Sequence, residues 1–220
     1  MFLGHFALGL GAKRLEPSLS LGSTFAAAQL PDLVWPALVL AGVERVAIAP
    51  GDTAFTPLRF LSYPYSHSLL ALVLWGAALA ALHYRSQRRL RAAVVLGLLV
   101  LSHWLLDLLT HRADLPLVPW GGPRLGLGLW ESVPATLGLE LAMYGAGLVL
   151  YSRASVARDG RGRYGFGALA GLLVVVYFAS AFGPPPPSAT AVGLAGLVGG
   201  ALFWAWAVWA DRHREPRAAA

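Results

Sequence analysis

The side chains best suited to chemistry lie in one apolar segment of the sequence. His103, Asp107 and His111 follow one another at intervals of four residues. On an α-helix this spacing places the three side chains along one face, about 6 Å apart at each step. Ionisable groups at membrane depth are costly, so they usually face a protein interior or a wet cavity and have a function. Two imidazoles and a carboxylate on one face are ligands that Zn²⁺ accepts.

The composition indicates that this segment belongs to an integral membrane protein. Of the 220 residues, 57% are hydrophobic and 13% are charged, whereas soluble domains average roughly 25% charged residues. Because backbone groups in lipid must be paired internally, the long apolar runs favour an all-α fold. The sequence contains no cysteine, so a metal would be bound by His, Asp or Glu rather than by thiolates.

The apolar segments predict a polytopic helical bundle of about six to seven segments with a broken, partial N-terminal pair. Residues 1–12 would form a helix of roughly 18 Å, too short for a hydrocarbon core of about 30 Å. Residues 18–43 are long enough, but Pro31, Asp32 and Pro36 interrupt them. The remaining segments are 68–83, 92–109, 134–150, 164–182 and 189–210. The expected organisation is one membrane domain, 1–220, with site-bearing helices in 1–152 and a two-helix scaffold in 164–210.

The positive charge follows a pattern of membrane topology rather than of nucleic-acid binding. The net charge is +6, but the basic residues cluster between apolar segments, as the positive-inside rule describes. We therefore expect a bacterial inner-membrane protein with a cytoplasmic C-terminus, surrounded by membrane lipids and with no nucleic-acid partner. The segments expected in the cytoplasm are 13–14, 85–91, 153–163 and 211–217, and those expected in the periplasm are 44–66, 112–133 and 183–188.

Other ionisable side chains are expected at the membrane depth of His103 and Asp107, in a site that faces the periplasm. Two carboxylates close together in a medium of low dielectric constant cannot both stay ionised unless a cation lies between them. We therefore predict a divalent metal, with Zn²⁺ as the expected ion. The predicted ligands are His5, Asp32, His67, His103, Asp107 and His111. The candidates for a catalytic base are Asp32 and Glu140.

Several of these residues could have a structural role instead. His5 could lie at a membrane interface, and Asp32 could cap the half-helix that follows it. His111 could interact with the carbonyl end of its helix. A His103–Asp107 hydrogen bond could join two helices, although such bonds within a membrane contribute only about 0.6–2 kcal/mol. The convergence of so many ionisable groups at one depth favours the metal site.

Three arginines of the outer loops, Arg59, Arg112 and Arg124, are candidates for substrate binding. A guanidinium can hold a phosphate through paired hydrogen bonds. The same side chains could instead contact lipid headgroups, or one of them could pair with Glu140.

Four short motifs occur in order along the first half of the chain: His5, Pro31-Asp32, Ser66-His67-Ser68, and Ser102-His103 followed by Asp107 and Thr110. Over about residues 1–125 they resemble the membrane-bound metal-dependent hydrolases of the YdjM, LexA-binding inner-membrane type. This resemblance implies a metal-dependent hydrolase. The chain departs from the family pattern at Val34, where the family has a second Asp. It also departs at Ser62-Tyr63-Pro64, which replaces a His-Arg-Gly element that contains a possible ligand.

The order of the His, Asp and Glu residues is similar, more distantly, to that of the zinc-dependent phospholipase C and P1 nuclease superfamily. That likeness implies a bridging carboxylate at Asp107. It assigns Asp32, His67 and His103 to one metal, His111 and Glu140 to a second, and His5 to a third. Thr136 lies four residues before Glu140, where the superfamily has a His, so one ligand of the second metal is missing.

Together these patterns favour a membrane-embedded metal-dependent hydrolase that acts on the phosphoester of a lipid or lipid-linked substrate at the outer face of the inner membrane. Zn²⁺ would lower the pKa of a bound water toward about 7 and so supply a nucleophile. The alternative is a metal-ion or proton transporter, since such proteins also use intramembrane His and carboxylate groups. A bis-histidine haem protein is a third possibility, but carboxylate neighbours fit a harder metal better. The oligomeric state stays open.

Overall fold

The computed structural model of the chain describes residues 1–217, and its helices fall into two groups by length. The short helices are Leu3–Leu15 (α1), Leu21–Ala28 (α2), Leu30–Leu40 (α3) and Pro64–His67 (α4). The helices long and apolar enough to cross a membrane are Leu69–Gln87 (α5), Leu90–Thr110 (α6), Val133–Ala154 (α7), Gly160–Phe182 (α8) and Ala189–Arg212 (α9). The all-α bundle is confirmed. The expected six to seven segments were slightly too many, because the two N-terminal ones form the three short helices α1 to α3.

Prolines and capping side chains divide the N-terminal part into short helices. Helix α1 ends two residues before Pro17, and the Ser20 side chain caps α2 by accepting a hydrogen bond from the backbone N–H of Ser23. Helix α3 has Pro31 in its first turn, where a missing N–H is tolerated. Asp32 therefore also lies in the first turn of α3, close to the point where the chain leaves α2.

Helix α1 lies inside the bundle and packs mainly against α7, with a smaller contact to α6. Most of its residues are buried. The approach to α7 is close at Gly147, where an added Cβ atom would lie 2.7 Å from the carbonyl oxygen of Ala7. Only glycine allows the two backbones to come this near.

Helices α5 and α6 form an antiparallel pair that also meets at glycines. A Cβ atom added at Gly76 would lie 2.8 Å from the carbonyl oxygen of Gly97, and one added at Gly97 would lie 3.1 Å from that of Gly76. This close pairing fixes α6, the helix that carries His103 and Asp107.

Three short antiparallel strand pairs lie between the helices; the first two are hairpins, and the third joins segments on either side of α8 and α9. They pair Arg45–Ile48 (β1) with Leu58–Ser62 (β2), Leu115–Val118 (β3) with Gly121–Leu125 (β4), and Ser155–Ala157 (β5) with Arg214–Pro216 (β6). The first two lie at the end of the bundle where α5 begins and α6 ends, and a 3₁₀ turn, Leu129–Glu131, follows them. They cover that end of the bundle and help to enclose the cavity described below.

Candidate metal centre

Four of the predicted ligands, supplied by α3, α4 and α6, form a compact group. The distances from His67 Nε2 to Asp32 Oδ1 and Asp107 Oδ2 are 3.4 and 3.8 Å. Those from His103 Nε2 to the same two oxygens are 3.8 and 3.2 Å. We call Asp32, His67, His103 and Asp107 the metal cluster.

The four His–Asp distances match those expected between ligands of a tetrahedrally coordinated zinc ion. Four N or O ligands that each lie 2.0–2.2 Å from Zn²⁺ are separated from one another by about 3.3–3.6 Å. The separations between imidazole nitrogens and carboxylate oxygens in the structure are 3.2 to 3.8 Å, which bracket this range. Asp32, His67 and His103 have ligand atoms within 4.8 Å of one another, so these three could hold one Zn²⁺ ion, with Asp107 next to both imidazoles.

The surroundings of His103 leave its Nε2 free to bind a metal. Its Nδ1 lies 2.8 Å from the carbonyl oxygen of Ala28. Because a carbonyl only accepts hydrogen bonds, Nδ1 carries the proton, and in a neutral ring Nε2 then presents a lone pair. Nε2 is buried and has no hydrogen-bond partner among residues 1–217, since Asp107 Oδ2 is near but poorly aligned.

A chain of hydrogen bonds orients His67 in the same way. Its Nδ1 lies 2.7 Å from Ser66 Oγ, and the Ser66 hydroxyl donates to Glu44 Oε2. Glu44 Oε1 accepts from the backbone N–H groups of Tyr65 and Ser66 at 2.7 and 2.9 Å. Since the Ser66 proton is already directed to Glu44, His67 Nδ1 donates to Ser66 and Nε2 presents its lone pair to the cluster. Glu44 was not predicted, because nothing in the spacing connects it with His67.

His5 lies beside the metal cluster, and its role as a metal ligand stays a prediction. Its Nε2 is 3.0 Å from Asp107 Oδ1, and its ring stacks on His103 with the centroids 3.6 Å apart. The ammonium group of Met1 also donates a hydrogen bond to Asp107 Oδ1 at 2.7 Å and forms an ion pair with it. Asp107 therefore directs one oxygen to α1 and the other to His67 and His103. His5, His103 and Asp107 form a second group with ligand-like spacing, but His103 Nε2 can bind only one of two ions.

His111 and Glu140 lie at the same cavity but outside the metal cluster. His111 Nδ1 is 2.9 Å from Asp114 Oδ1, and burial lowers the pKa of this imidazole. Glu140 Oε2 accepts hydrogen bonds from the backbone N–H groups of Phe2 and Gly4 at 2.8 and 3.2 Å. It therefore caps the N-terminus of α1, an arrangement that the helix dipole favours. The other oxygen, Oε1, is buried without a hydrogen-bond partner among the described residues.

Two of the three predicted substrate-binding arginines pair with Asp52 instead of facing the cluster. Arg59 Nε donates to Asp52 Oδ1 at 2.8 Å, and Arg112 Nη2 lies 2.7 Å from Asp52 Oδ2. The hydrogen bond from Arg59 lowers the pKa of the Asp52 carboxyl, and Arg112 adds to the effect. Arg124 lies on the exposed strand β4 beside Tyr63. Binding of substrate by these arginines stays a prediction.

A cavity of about 210 Å³ opens at the metal cluster. Besides cluster residues it is lined by aromatic side chains, among them Trp35, Trp130 and Tyr177. Each of these three has a polar atom, an indole N–H or a phenol hydroxyl, that is buried without a partner among the described residues. Because buried polar groups are nearly always paired, the two indole N–H groups are available to a bound molecule with acceptor oxygens, whereas the Tyr177 hydroxyl lies near Glu140.

The cluster is exposed on one side only. The Asp32 side chain is 38% exposed, whereas that of Asp107 is 2% exposed. A ligand would therefore approach the cluster past Asp32.

The fold and the site define a multi-pass membrane protein with a candidate metal centre of buried His and Asp side chains. The model of the family described as YdjM inner membrane protein matches residues 1–184. The chain therefore belongs to the YdjM inner membrane protein family. Comparison with curated proteins and with solved structures gives no significant match, and the more distant superfamily resemblance stays a prediction.

Proposed function

We propose that this protein is a metal-dependent hydrolase that cleaves a phosphoester of a lipid or lipid-linked substrate within the membrane. The observation that carries the proposal is the chemistry of the metal cluster. Two imidazole lone pairs and two carboxylates face one another, and the hydrogen bonds on the far side of each ring fix this arrangement. Four acceptors directed at one point repel one another unless a cation lies between them.

The other possible explanation is a pair of protonated imidazoles that hold the carboxylates without a metal. Two imidazolium ions beside the buried Asp107, which the Met1 nitrogen already contacts, would carry a large desolvation cost. One divalent ion cancels the two carboxylate charges and needs no proton on either ring. Binding of one Zn²⁺ ion therefore accounts for these ligand atoms better than protonation of both imidazoles does.

A bound Zn²⁺ ion would polarise a phosphoryl oxygen and supply an activated water. Side chains of the protein would accept the proton and bind the phosphate oxygens. The free Glu140 Oε1 can accept a proton, as can Asp32 where it is not a ligand. The indole N–H groups of Trp35 and Trp130 can hold phosphate oxygens, which would leave the arginines to act at the rim. The positive-inside pattern supports an outward-facing site with a cytoplasmic C-terminus.

The test is metal content and hydrolysis in purified protein. Wild type is expected to contain about one Zn²⁺ per chain and to release phosphate from phosphatidic acid. Asp107→Asn keeps the shape of the side chain and removes its charge, so it should lose both properties. Asp159→Asn is the matched control, because Asp159 lies at the start of α8 and pairs with His213, away from the cluster.

Each result has a clear meaning. If Asp107→Asn keeps full metal content and activity, the proposal is wrong and the His–Asp contacts only join helices. If wild type binds metal but hydrolyses neither phosphatidic acid nor phosphatidylglycerol, the transport or binding alternative is favoured instead.

A further inference from the structure

A second, larger cavity adjoins the metal cluster. Its volume is about 530 Å³, within the range of about 300–1,000 Å³ that small-molecule sites occupy. It lies between α1, α2 and α3 on one side and α8 and α9 on the other. Phe2, Asp32 and Trp35 line both cavities, so the larger cavity continues directly from the open side of the cluster.

The wall of the larger cavity is apolar except near the cluster. Phenylalanines of α1, α2 and α9, including Phe6 and Phe203, line it together with apolar residues of α3, α8 and α9. Its polar side chains besides the indoles are Asp32 and Gln29, which lie near each other at the start of α3. Gln29 is 7% exposed, and its amide nitrogen has no partner among residues 1–217. The cavity therefore offers a hydrogen-bond donor at the cluster end and hydrocarbon beyond it.

The far side of the cavity opens toward the bilayer. Val198, Leu202 and Trp204 of α9 line it and are 69%, 49% and 47% exposed. They occupy the middle of a membrane-spanning helix, so the surface that they expose faces lipid chains rather than water. A hydrocarbon chain can enter here from the side.

Glycines of α9 form both the close contact with α3 and part of the cavity wall. A Cβ atom added at Gly196 would lie 2.7 Å from Pro36 Cγ, and one added at Gly200 would lie 2.6 Å from Leu33 Cδ2. At Gly199 the nearest atom would be 3.8 Å away. Gly199 lines the cavity, so a larger side chain there would fill the cavity without disturbing the contact between α9 and α3.

We propose that this cavity binds one hydrocarbon chain of the lipid whose phosphate lies at the metal cluster. The Gln29 amide would then donate to an oxygen between the phosphate and the chain. The inference rests on the proposed function, since it takes the cluster as the phosphate site. It identifies the substrate as a membrane lipid with the phosphate close to a long chain, and it gives α8 and α9 a role in substrate selection.

The experiment measures chain binding separately from hydrolysis. Full-length protein in bilayer nanodiscs is labelled with phosphatidic acid that carries a photoreactive diazirine at the end of one acyl chain, and the labelled peptides are mapped by mass spectrometry. Labelling is expected in residues 195–204. Gly199→Phe should lower it about tenfold or more, the lower end of the effect of one excess methylene in a hydrophobic pocket.

Two further variants make the result decisive. Gly171→Phe is the control, because Gly171 is exposed on α8 with open space around it, and labelling should stay at the wild-type level. Ala195→Phe fills the cavity from another position and replaces Gly199→Phe if that variant does not fold. The ratio of phosphatidic acid turnover to phenyl phosphate turnover should fall with the labelling.

The outcomes separate the two proposals. Labelling spread over the lipid-facing helices and unchanged by the filling variants would overturn the chain site, even if hydrolysis occurs. Labelling at residues 195–204 without any hydrolysis would support the chain site and refute the hydrolase proposal.

Discussion

Replacing Glu44 by glutamine should reverse the direction of the hydrogen bonds that leave His67 Nε2 unprotonated and able to bind a metal. Glu44 Oε1 accepts from two backbone N–H groups, so the amide oxygen of the variant must take that position. The amide nitrogen then faces Ser66 Oγ and donates to it. The Ser66 hydroxyl must in turn donate to His67 Nδ1, which moves the imidazole proton to Nε2, the atom that faces the cluster.

The expected loss of Zn²⁺ affinity follows from the loss of one correctly protonated ligand, His67. Changes in groups that orient a metal-bound His typically lower metal affinity about 10- to 100-fold, which corresponds to about 1.4–2.8 kcal/mol. The variant keeps the shape of Glu44 and both backbone hydrogen bonds, so the metal-free protein should keep its fold. Zn²⁺ affinity is measured by competition with a chromophoric chelator, and folding is checked by thermal unfolding of the metal-free protein.

A double-mutant cycle tests the direction of the hydrogen bonds themselves. Ser66→Ala removes the relay, so Glu44→Gln should have little further effect on Zn²⁺ affinity in that background. A Glu44→Gln variant that binds Zn²⁺ within about twofold of wild type would refute the reasoning. So would equal effects of Glu44→Gln with and without the Ser66 hydroxyl.

Two further predictions concern the ends of the bundle. Single cysteines at Arg88 and Gly122 should report the topology: in intact spheroplasts an impermeant thiol reagent should label position 122 and not 88, and the opposite result would place the site toward the cytoplasm. The pairing of Asp52 should make the stability of the fold depend on pH in the acidic range. Its folded pKa is lowered by Arg59, so the stabilisation is complete above the ordinary value of about 3.9 and is lost as the pH falls through the lower, folded value. Thermal unfolding of Asp52→Asn should show a lower Tm at pH 7 and a weaker dependence on pH below about 4; an unchanged profile would count against the pairing.

The parts of the site that could be predicted from sequence are those set by local periodicity. His103 and Asp107 are one helical turn apart on α6, and their spacing alone places them on one face. His111 continues that spacing, but α6 ends at Thr110 and the backbone becomes extended at His111. The side chain consequently turns toward Asp114 rather than the cluster.

The remaining parts depend on contacts between distant segments. The carbonyl of Ala28, the carboxylate of Glu44 and the pairing of Asp52 with two arginines are all set by how separate elements pack, and no spacing in the sequence encodes them. The β1–β2 and β3–β4 hairpins were expected only as loops. A signal for the second was present in Gly121 and Gly122, whose backbones adopt positive φ, as tight turns require.

The contact between Glu140 and the start of α1 links the maturation of the site to the order of synthesis. The backbone N–H of Phe2 is bonded to a side chain 138 residues later in the chain. At about 5–20 residues per second, the ribosome needs roughly 7–28 s to reach Glu140 after it has added Phe2. During that interval α1 is too short to be held across the bilayer on its own. The four residues of the metal cluster have all been synthesised once α6 is made, but α1, which carries His5, gains its main packing partner only with α7, so His5 would be held firmly beside the cluster only in chains that extend through α7.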